Sequence, residues 1–190
     1  IMIVSILTTR KLQLMTTFGL IMSGFMLLVS HLGEMDPSIT PRMPVLNSPL
    51  LSIHVSIIMM SYALLSLTFI SAIAYFFTRN SKRESVISVN KQLTDLSQIF
   101  LYPAITTLGL GIFIGAIWAN ISWGTYWGWD PKETWALITF LIYAIPLHTN
   151  SLPALRKPEK YHFFMLLSFL SILMTYFGVN YILGGMHSYA

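Results

Sequence analysis

Five long apolar runs alternate with short polar segments along the chain: Leu12 to Leu32, Leu50 to Phe77, Phe100 to Ile121, Thr134 to His148 and Tyr161 to Leu183. A helix needs about 20 apolar residues to cross a bilayer, so each run predicts a transmembrane helix. The fourth reaches that length only if Pro131 to Glu133 form its first turn. Between the second and third runs the pattern changes. Val89, Leu93, Leu96 and Phe100 recur at spacings of four, three and four in an otherwise polar stretch from Glu84 to Gln98. That spacing predicts an amphipathic helix lying along the membrane surface. The expected fold is an all-α membrane protein with about five transmembrane helices. A tryptophan-rich external loop and a short amphipathic helix on the cytoplasmic side complete it. Asn47-Ser48-Pro49 is a helix-start signal. It divides the chain into residues 1–47, a first transmembrane helix with its external loop, and residues 48–190, the main membrane domain. The first residue is Ile and no signal-peptide pattern precedes the first run, so the sequence reads as the C-terminal part of a longer polypeptide.

Composition agrees. The chain is 55% hydrophobic and 9% charged, against about 25% charged residues in soluble domains. Its net charge of +4 points to topology rather than to nucleic acid. With a cytoplasmic N-terminus, Arg10, Lys11, Arg79, Lys82, Arg83, Lys91, Arg156, Lys157 and Lys160 all fall in inside segments, and only Arg42 and Lys132 fall outside. Nine against two fits the positive-inside rule and contact with anionic lipid. Cysteine is absent, so the chain has no thiolate ligand or thiol nucleophile of its own.

The chemistry concentrates in one stretch, Trp118 to Glu133. It holds Trp118, Trp123, Trp127, Trp129 and Tyr126, with Trp135 just beyond. Asp130, Pro131 and Glu133 form a capping-box helix start. An aromatic belt at a membrane surface needs only one or two rings per helix end. This density, interleaved with Gly124 and Gly128, fits a platform for a flat ligand. His31, His54 and His187 share the external side with this loop, whereas His148 and His162 lie at the inner ends of their runs. His54 sits inside an apolar run, where an ionisable residue hints at a partner or ligand. Neutral imidazoles beside an aromatic floor suggest a porphyrin-bound metal. A bare zinc site needs about four ligands, which the external face does not offer. Gly111 and Gly115 give a G-x-x-x-G spacing, read as a helix-packing signal.

The segment W-G-T-Y-W-G-W-D-P-K-E-T-W-A-L-I, Trp123 to Ile138, resembles the signature of the haem-handling membrane proteins named for their tryptophan-rich WWD loop. The wording W-x-W-D-P-K-E-T-W is similar to CcsA (ResC), the membrane half of the System II cytochrome c synthase. The segments around His54 (S-I-H-V-S-I-I-M-M-S-Y-A) and His187 (G-V-N-Y-I-L-G-G-M-H-S-Y) agree, and the resemblance covers about Ser48 to Tyr189. It implies a WWD-type haem-binding domain over 48–190, in which His54 and His187 are axial ligands to haem b (iron protoporphyrin IX). Trp118, Trp123, Trp127, Trp129 and Asp130 belong to that same outer site. His148 maps to a second, inner haem site whose other ligand has no counterpart in this sequence. His162 is not a family position and His31 has none assigned.

The resemblance also implies an activity and its setting. A holocytochrome c synthase (haem lyase) receives haem from the cytoplasmic side and presents it outside. It attaches the vinyl groups by thioether bonds to the C-x-x-C-H cysteines of apocytochrome c. It acts with a CcsB (ResB)-like membrane partner, separate or fused upstream. The setting is the bacterial inner membrane or, alternatively, the thylakoid membrane, with the loop on the periplasmic or lumenal side. Asp130 and Glu133 need no catalytic role, since helix capping accounts for both. Rival readings are a haem carrier that hands haem on without attaching it, a structural subunit with a Trp/His belt, and a quinone-binding subunit.

Overall fold

The computed structural model describes residues 17, 19, 20, 23, 24 and 48–183. The chain divides into two compact units, residues 1–43 and 44–190. In the first, residues 17, 19, 20, 23 and 24 are helical; the rest of the predicted first span, Leu12 to Leu32, lies outside the described residues. Among the described residues every regular element of the second unit is helical. These are α1 (Pro49–Thr78), α2 (Glu84–Trp123), α3 (Pro131–Ala144) and α4 (Pro158–Leu173). Two 3₁₀ turns, Ile145–His148 and Pro153–Arg156, join α3 to α4, and a π-helical segment, Met174–Leu183, continues α4.

Among the described residues three helices are long and apolar enough to cross a membrane: Pro49–Thr78, Glu84–Trp123 and Pro158–Asn180. Helix α3 has 14 residues, about 21 Å at 1.5 Å per residue, short of the roughly 30 Å hydrocarbon core. One prediction is revised. The amphipathic stretch from Glu84 and the third apolar run are a single 40-residue helix, because no glycine or proline interrupts the backbone before Pro103. The stripe Leu93, Leu96 and Phe100 is buried as its spacing predicts. It packs inside the bundle rather than on a membrane surface: next to it, Thr94 and Ser97 reach His162 and Tyr161 of α4 at 3.0 and 3.2 Å.

Helices α1 and α2 run antiparallel in close contact. Ser61 Oγ donates to the Ala104 carbonyl at 2.7 Å, and His54 Nδ1 meets the Gly111 carbonyl at 2.8 Å. Both pairs repeat after seven residues on each helix, so the same two faces meet along two turns. Small residues let the backbones approach, the packing mode of helices in lipid. The core contains Leu65, Leu101, Ala104, Leu108, Tyr143 and Met165. Other buried serines and threonines bond to main-chain carbonyls or to one another; Thr175 reaches the Thr139 hydroxyl and the Ser171 and Trp135 carbonyls. Outward, large apolar side chains are bare, with Phe77 87%, Phe113 73% and Ile121 72% exposed. Such a surface suits lipid, not water. This is a helical membrane protein.

The bundle has two distinct ends. One gathers the start of α1, the end of α2, the start of α3 and the π-helical segment. The other gathers the end of α1, the start of α2, the 3₁₀ turns and the start of α4. The second end carries Arg79, Lys82, Arg83, Lys91, Arg156, Lys157 and Lys160, with Arg79 paired to Glu159. Lys132 is the basic residue of the first end among the described residues. The charge asymmetry read from the sequence is therefore an asymmetry between the two ends of one bundle.

Candidate functional site

The tryptophan loop begins where α2 stops. Gly124, at φ +80°, is the left-handed C-cap, and its N–H bonds to the Asn120 carbonyl at 2.9 Å. Such a cap favours glycine, which has no Cβ to clash. The loop ends at a capping box. Asp130 accepts from the Lys132 N–H at 2.9 Å, and Glu133 Oε2 accepts from the Asp130 N–H at 3.2 Å. The same Glu133 oxygen accepts from the Gly128 N–H at 2.9 Å. Glu133 therefore holds both main-chain flanks of Trp129, whose φ of +56° is a left-handed conformation that a bulky residue adopts only when held there. Asp130 is buried, and its carboxylate is committed to the cap.

The aromatic rings form two pairs. Trp118 and Trp123 meet edge to face at 4.8 Å, and Trp127 and Trp129 do so at 5.9 Å. Trp118 is 2% exposed, whereas Trp129 is 70% exposed. The first pair begins in the core and the second ends at the surface, so the loop offers a graded aromatic face. The four tryptophans predicted to share a site do belong to one end of the bundle.

Replacing Glu133 with alanine removes the acceptor of two loop N–H groups and half the capping box. A lost cap of this kind costs about 1–2 kcal/mol. The expected outcome is a red-shifted, more iodide-quenchable tryptophan emission and faster proteolysis near Trp129. Glu133→Gln keeps an acceptor oxygen and should retain most of the wild-type behaviour.

Lys132 ties this end together. Its Nζ donates to Asn180 Oδ1 at 2.9 Å, joining the first turn of α3 to the π-helical segment that leads towards His187. Burial pulls the Lys132 ammonium below its ordinary pKa, and nearby Asp130 partly opposes this. His187 itself, like His31, lies outside the described residues.

His54 belongs to the same end. A carbonyl oxygen only accepts, so the 2.8 Å contact with Gly111 makes Nδ1 the donor. A neutral imidazole then carries its lone pair on Nε2. His54 lies against Gly115: a Cβ built there would stand 2.6 Å from the ring Cε1. Trp118 follows Gly115 by one helical turn. The structure thus places His54 against the helical turn that precedes Trp118.

His148 stands at the basic end, exposed, with Nδ1 facing the Ala144 carbonyl at 3.0 Å. It is therefore apart from His54, and by the same reasoning its Nδ1 is the donor. His162 differs. It is fully buried, stacked on Tyr75 at 4.3 Å, with Nε2 3.0 Å from Thr94 Oγ1. That hydroxyl donates to the Asn90 carbonyl, so it accepts from His162 Nε2–H. His162 joins α1, α2 and α4 and offers no outward lone pair on Nε2. Among the described residues no group of three or more His, Cys, Asp or Glu is placed to hold a metal ion on its own. A neutral imidazole with Nδ1–H bound to a carbonyl is, in contrast, the usual form of an axial ligand whose metal arrives in a macrocycle.

Sequence reasoning missed three contributors: the Gly111 carbonyl, the surface of Gly115, and Asn180. The G-x-x-x-G spacing was visible, but nothing in it named the side chain that rests there. An apolar cleft of about 530 Å³ also opens between α3 and α4, lined by Trp135, Ile142, Ile145, Phe164 and Met174.

The cytochrome c assembly protein family model matches residues 2–187. The chain belongs to the cytochrome c assembly protein family. It is 44% identical over 179 residues to the protein NrfI of Wolinella succinogenes, covering 90% of this chain and 19% of that protein. It is 36% identical over 179 residues to the cytochrome c biogenesis protein CcsA of Mesostigma viride, covering 79% of this chain and 58% of that protein. With CcsA of Chlamydomonas reinhardtii it shares 36% identity over 156 residues, 79% of this chain and 43% of that one. The chain thus spans less than two thirds of each of these relatives, and within its family it is of the CcsA type.

Proposed function

We propose that this chain holds haem at the tryptophan-loop end of the bundle and presents it for thioether attachment to apocytochrome c. The observation that carries this reading is His54. Its Nδ1–H is bound to the Gly111 carbonyl at 2.8 Å, its Nε2 bears the lone pair, and it rests one helical turn from Trp118. The donor chemistry fits a ferrous or ferric haem iron, for which a neutral imidazole Nε2 is a common axial ligand. His187 is the proposed second axial ligand.

The residues of the chain bind and orient. The paired tryptophans cover apolar porphyrin faces and edges and exclude water, with ring burial as their main contribution. Glu133 and Asp130 fix the loop that carries Trp127 and Trp129. Haem is the substrate. A cysteine sulfur of the C-x-x-C-H motif bonds to a vinyl carbon and the S–H hydrogen ends on the neighbouring carbon, so the addition consumes no oxidant or reductant. Holding thiol and vinyl together supplies much of the rate gain. The chain has no Cys, which leaves the substrate thiols without a competing nucleophile. His148, exposed at the basic end, is proposed to receive haem on the cytoplasmic side. Its co-ligand lies towards the N-terminal end or in a CcsB-like partner, separate or fused upstream. The loop end then faces the periplasm or lumen.

The test is the optical spectrum of the full-length protein purified from membranes and reduced with dithionite. Sharp low-spin haem bands are expected in the wild type. In His187→Ala they should weaken or broaden, and they should return with added imidazole. A haem-free wild type that retains its partner sinks the proposal. Bound haem without attachment to a co-expressed apocytochrome leaves a carrier instead.

A further inference from the structure

In an α-helix the carbonyl of residue i points towards residue i+4, and the side chain of residue i+4 leans back over the preceding turn. That side chain ordinarily covers the outer side of carbonyl i. Residue 111 supplies the carbonyl that His54 binds, and residue 115, four positions on, is the one whose side chain would cover it. It is glycine. A Cβ at 115 would stand 2.6 Å from His54 Cε1 and 2.8 Å from Nδ1, the donating atom itself. Both distances are shorter than real Cβ contacts allow. A Cβ at 111 would instead meet Ile58, at 2.5 Å from Cδ1 and 2.9 Å from Cγ1, a side chain other than the ligand. The two glycines of the G-x-x-x-G spacing are therefore not equivalent. Gly111 gives up its carbonyl and Gly115 uncovers it.

We propose that Gly115 is a positioning residue for haem ligation, exposing the Gly111 carbonyl so that it locks His54 in the Nδ1–H tautomer with Nε2 as the ligating atom. This rests on the haem reading above and extends it to the helix behind the ligand. A carbonyl bound to the remote ring N–H fixes the orientation of a ligating imidazole and raises its basicity. Loss of such a partner typically weakens metal binding about 10- to 100-fold. The ordinary packing role of G-x-x-x-G predicts something different: Gly115→Ala would lower stability, and imidazole would not restore its low-spin bands.

The experiment uses the full-length protein in detergent as wild type, Gly115→Ala and His54→Ala, with thermal melting run beside each spectrum. Gly115→Ala is expected to melt below the wild type, retain haem about 10- to 100-fold less tightly, and regain low-spin bands with imidazole. A second measurement does not depend on Gly115→Ala folding. In His54→Ala, imidazole and 4-methylimidazole keep an N–H for the Gly111 carbonyl and 1-methylimidazole does not, so the first two should rescue at about tenfold lower concentration. Equal rescue by all three overturns the proposal. Wild-type retention in Gly115→Ala alongside loss in His54→Ala also overturns it and leaves the haem reading standing. A His54→Ala protein indistinguishable from wild type removes the haem reading itself.

Discussion

Trp118→Ala is expected to lower both the stability and the haem content of this protein, while Trp129→Ala lowers haem content alone. Trp118 is 2% exposed and pairs edge to face with Trp123 at 4.8 Å, whereas Trp129 is 70% exposed. Truncating a buried tryptophan to alanine costs about 3–5 kcal/mol through lost contacts and a residual cavity. In a domain of this size that corresponds to roughly 6–20 °C in melting temperature. Trp129 contributes little packing, and its φ of +56° is easier for alanine than for an indole. Its removal should shift the melt by no more than about 2 °C. Thermal melting of the detergent-purified variants, with haem quantified by pyridine haemochrome, separates the two. A Trp129→Ala protein with full haem content would remove the outer pair from the platform. A Trp118→Ala protein that melts normally would mean that the core beneath the loop repacks.

Tyr143 carries the second large effect, and its sign depends on the replacement. The residue is 0% exposed in the core, and its hydroxyl has no hydrogen-bond partner among the described residues. An unsatisfied buried hydroxyl costs about 1–3 kcal/mol. Tyr143→Phe removes it without changing the ring, so a gain of about 1 kcal/mol or more is expected, seen as a higher melting temperature. Tyr143→Ala empties the same volume and should cost about 3–5 kcal/mol. A loss of stability in Tyr143→Phe would overturn the assignment and place a partner on that hydroxyl in the working protein, such as bound water or part of the substrate.

Much of this architecture can be read from the chain alone, and the reasons are local. The apolar runs at Leu50 to Phe77 and Phe100 to Ile121 are long enough that lipid leaves the backbone no choice but helix. Asp130, Pro131 and Glu133 announce the start of α3 because capping is a contact between residues two or three apart. The cluster of tryptophans marks the candidate site by composition. The positions of Lys and Arg sort the two ends of the bundle.

Tertiary structure decided the rest, because it joins residues far apart in sequence. Periodicity could describe the stripe Val89, Leu93, Leu96 and Phe100 but not its partner. Bilayer surface and bundle interior demand the same pattern, and only the approach of His162 and Tyr161 selects the interior. The 14 residues of α3 form a helix wherever they lie, but their span is a matter of the bundle around them. Above all, the sequence places a histidine at 54 and glycines at 111 and 115 without relating them. The antiparallel register of α1 on α2 sets His54 Nδ1 on a carbonyl 57 residues away, and so determines which ring nitrogen keeps its lone pair. A hydrogen bond needs about 3 Å and a defined angle, and only a folded backbone supplies both.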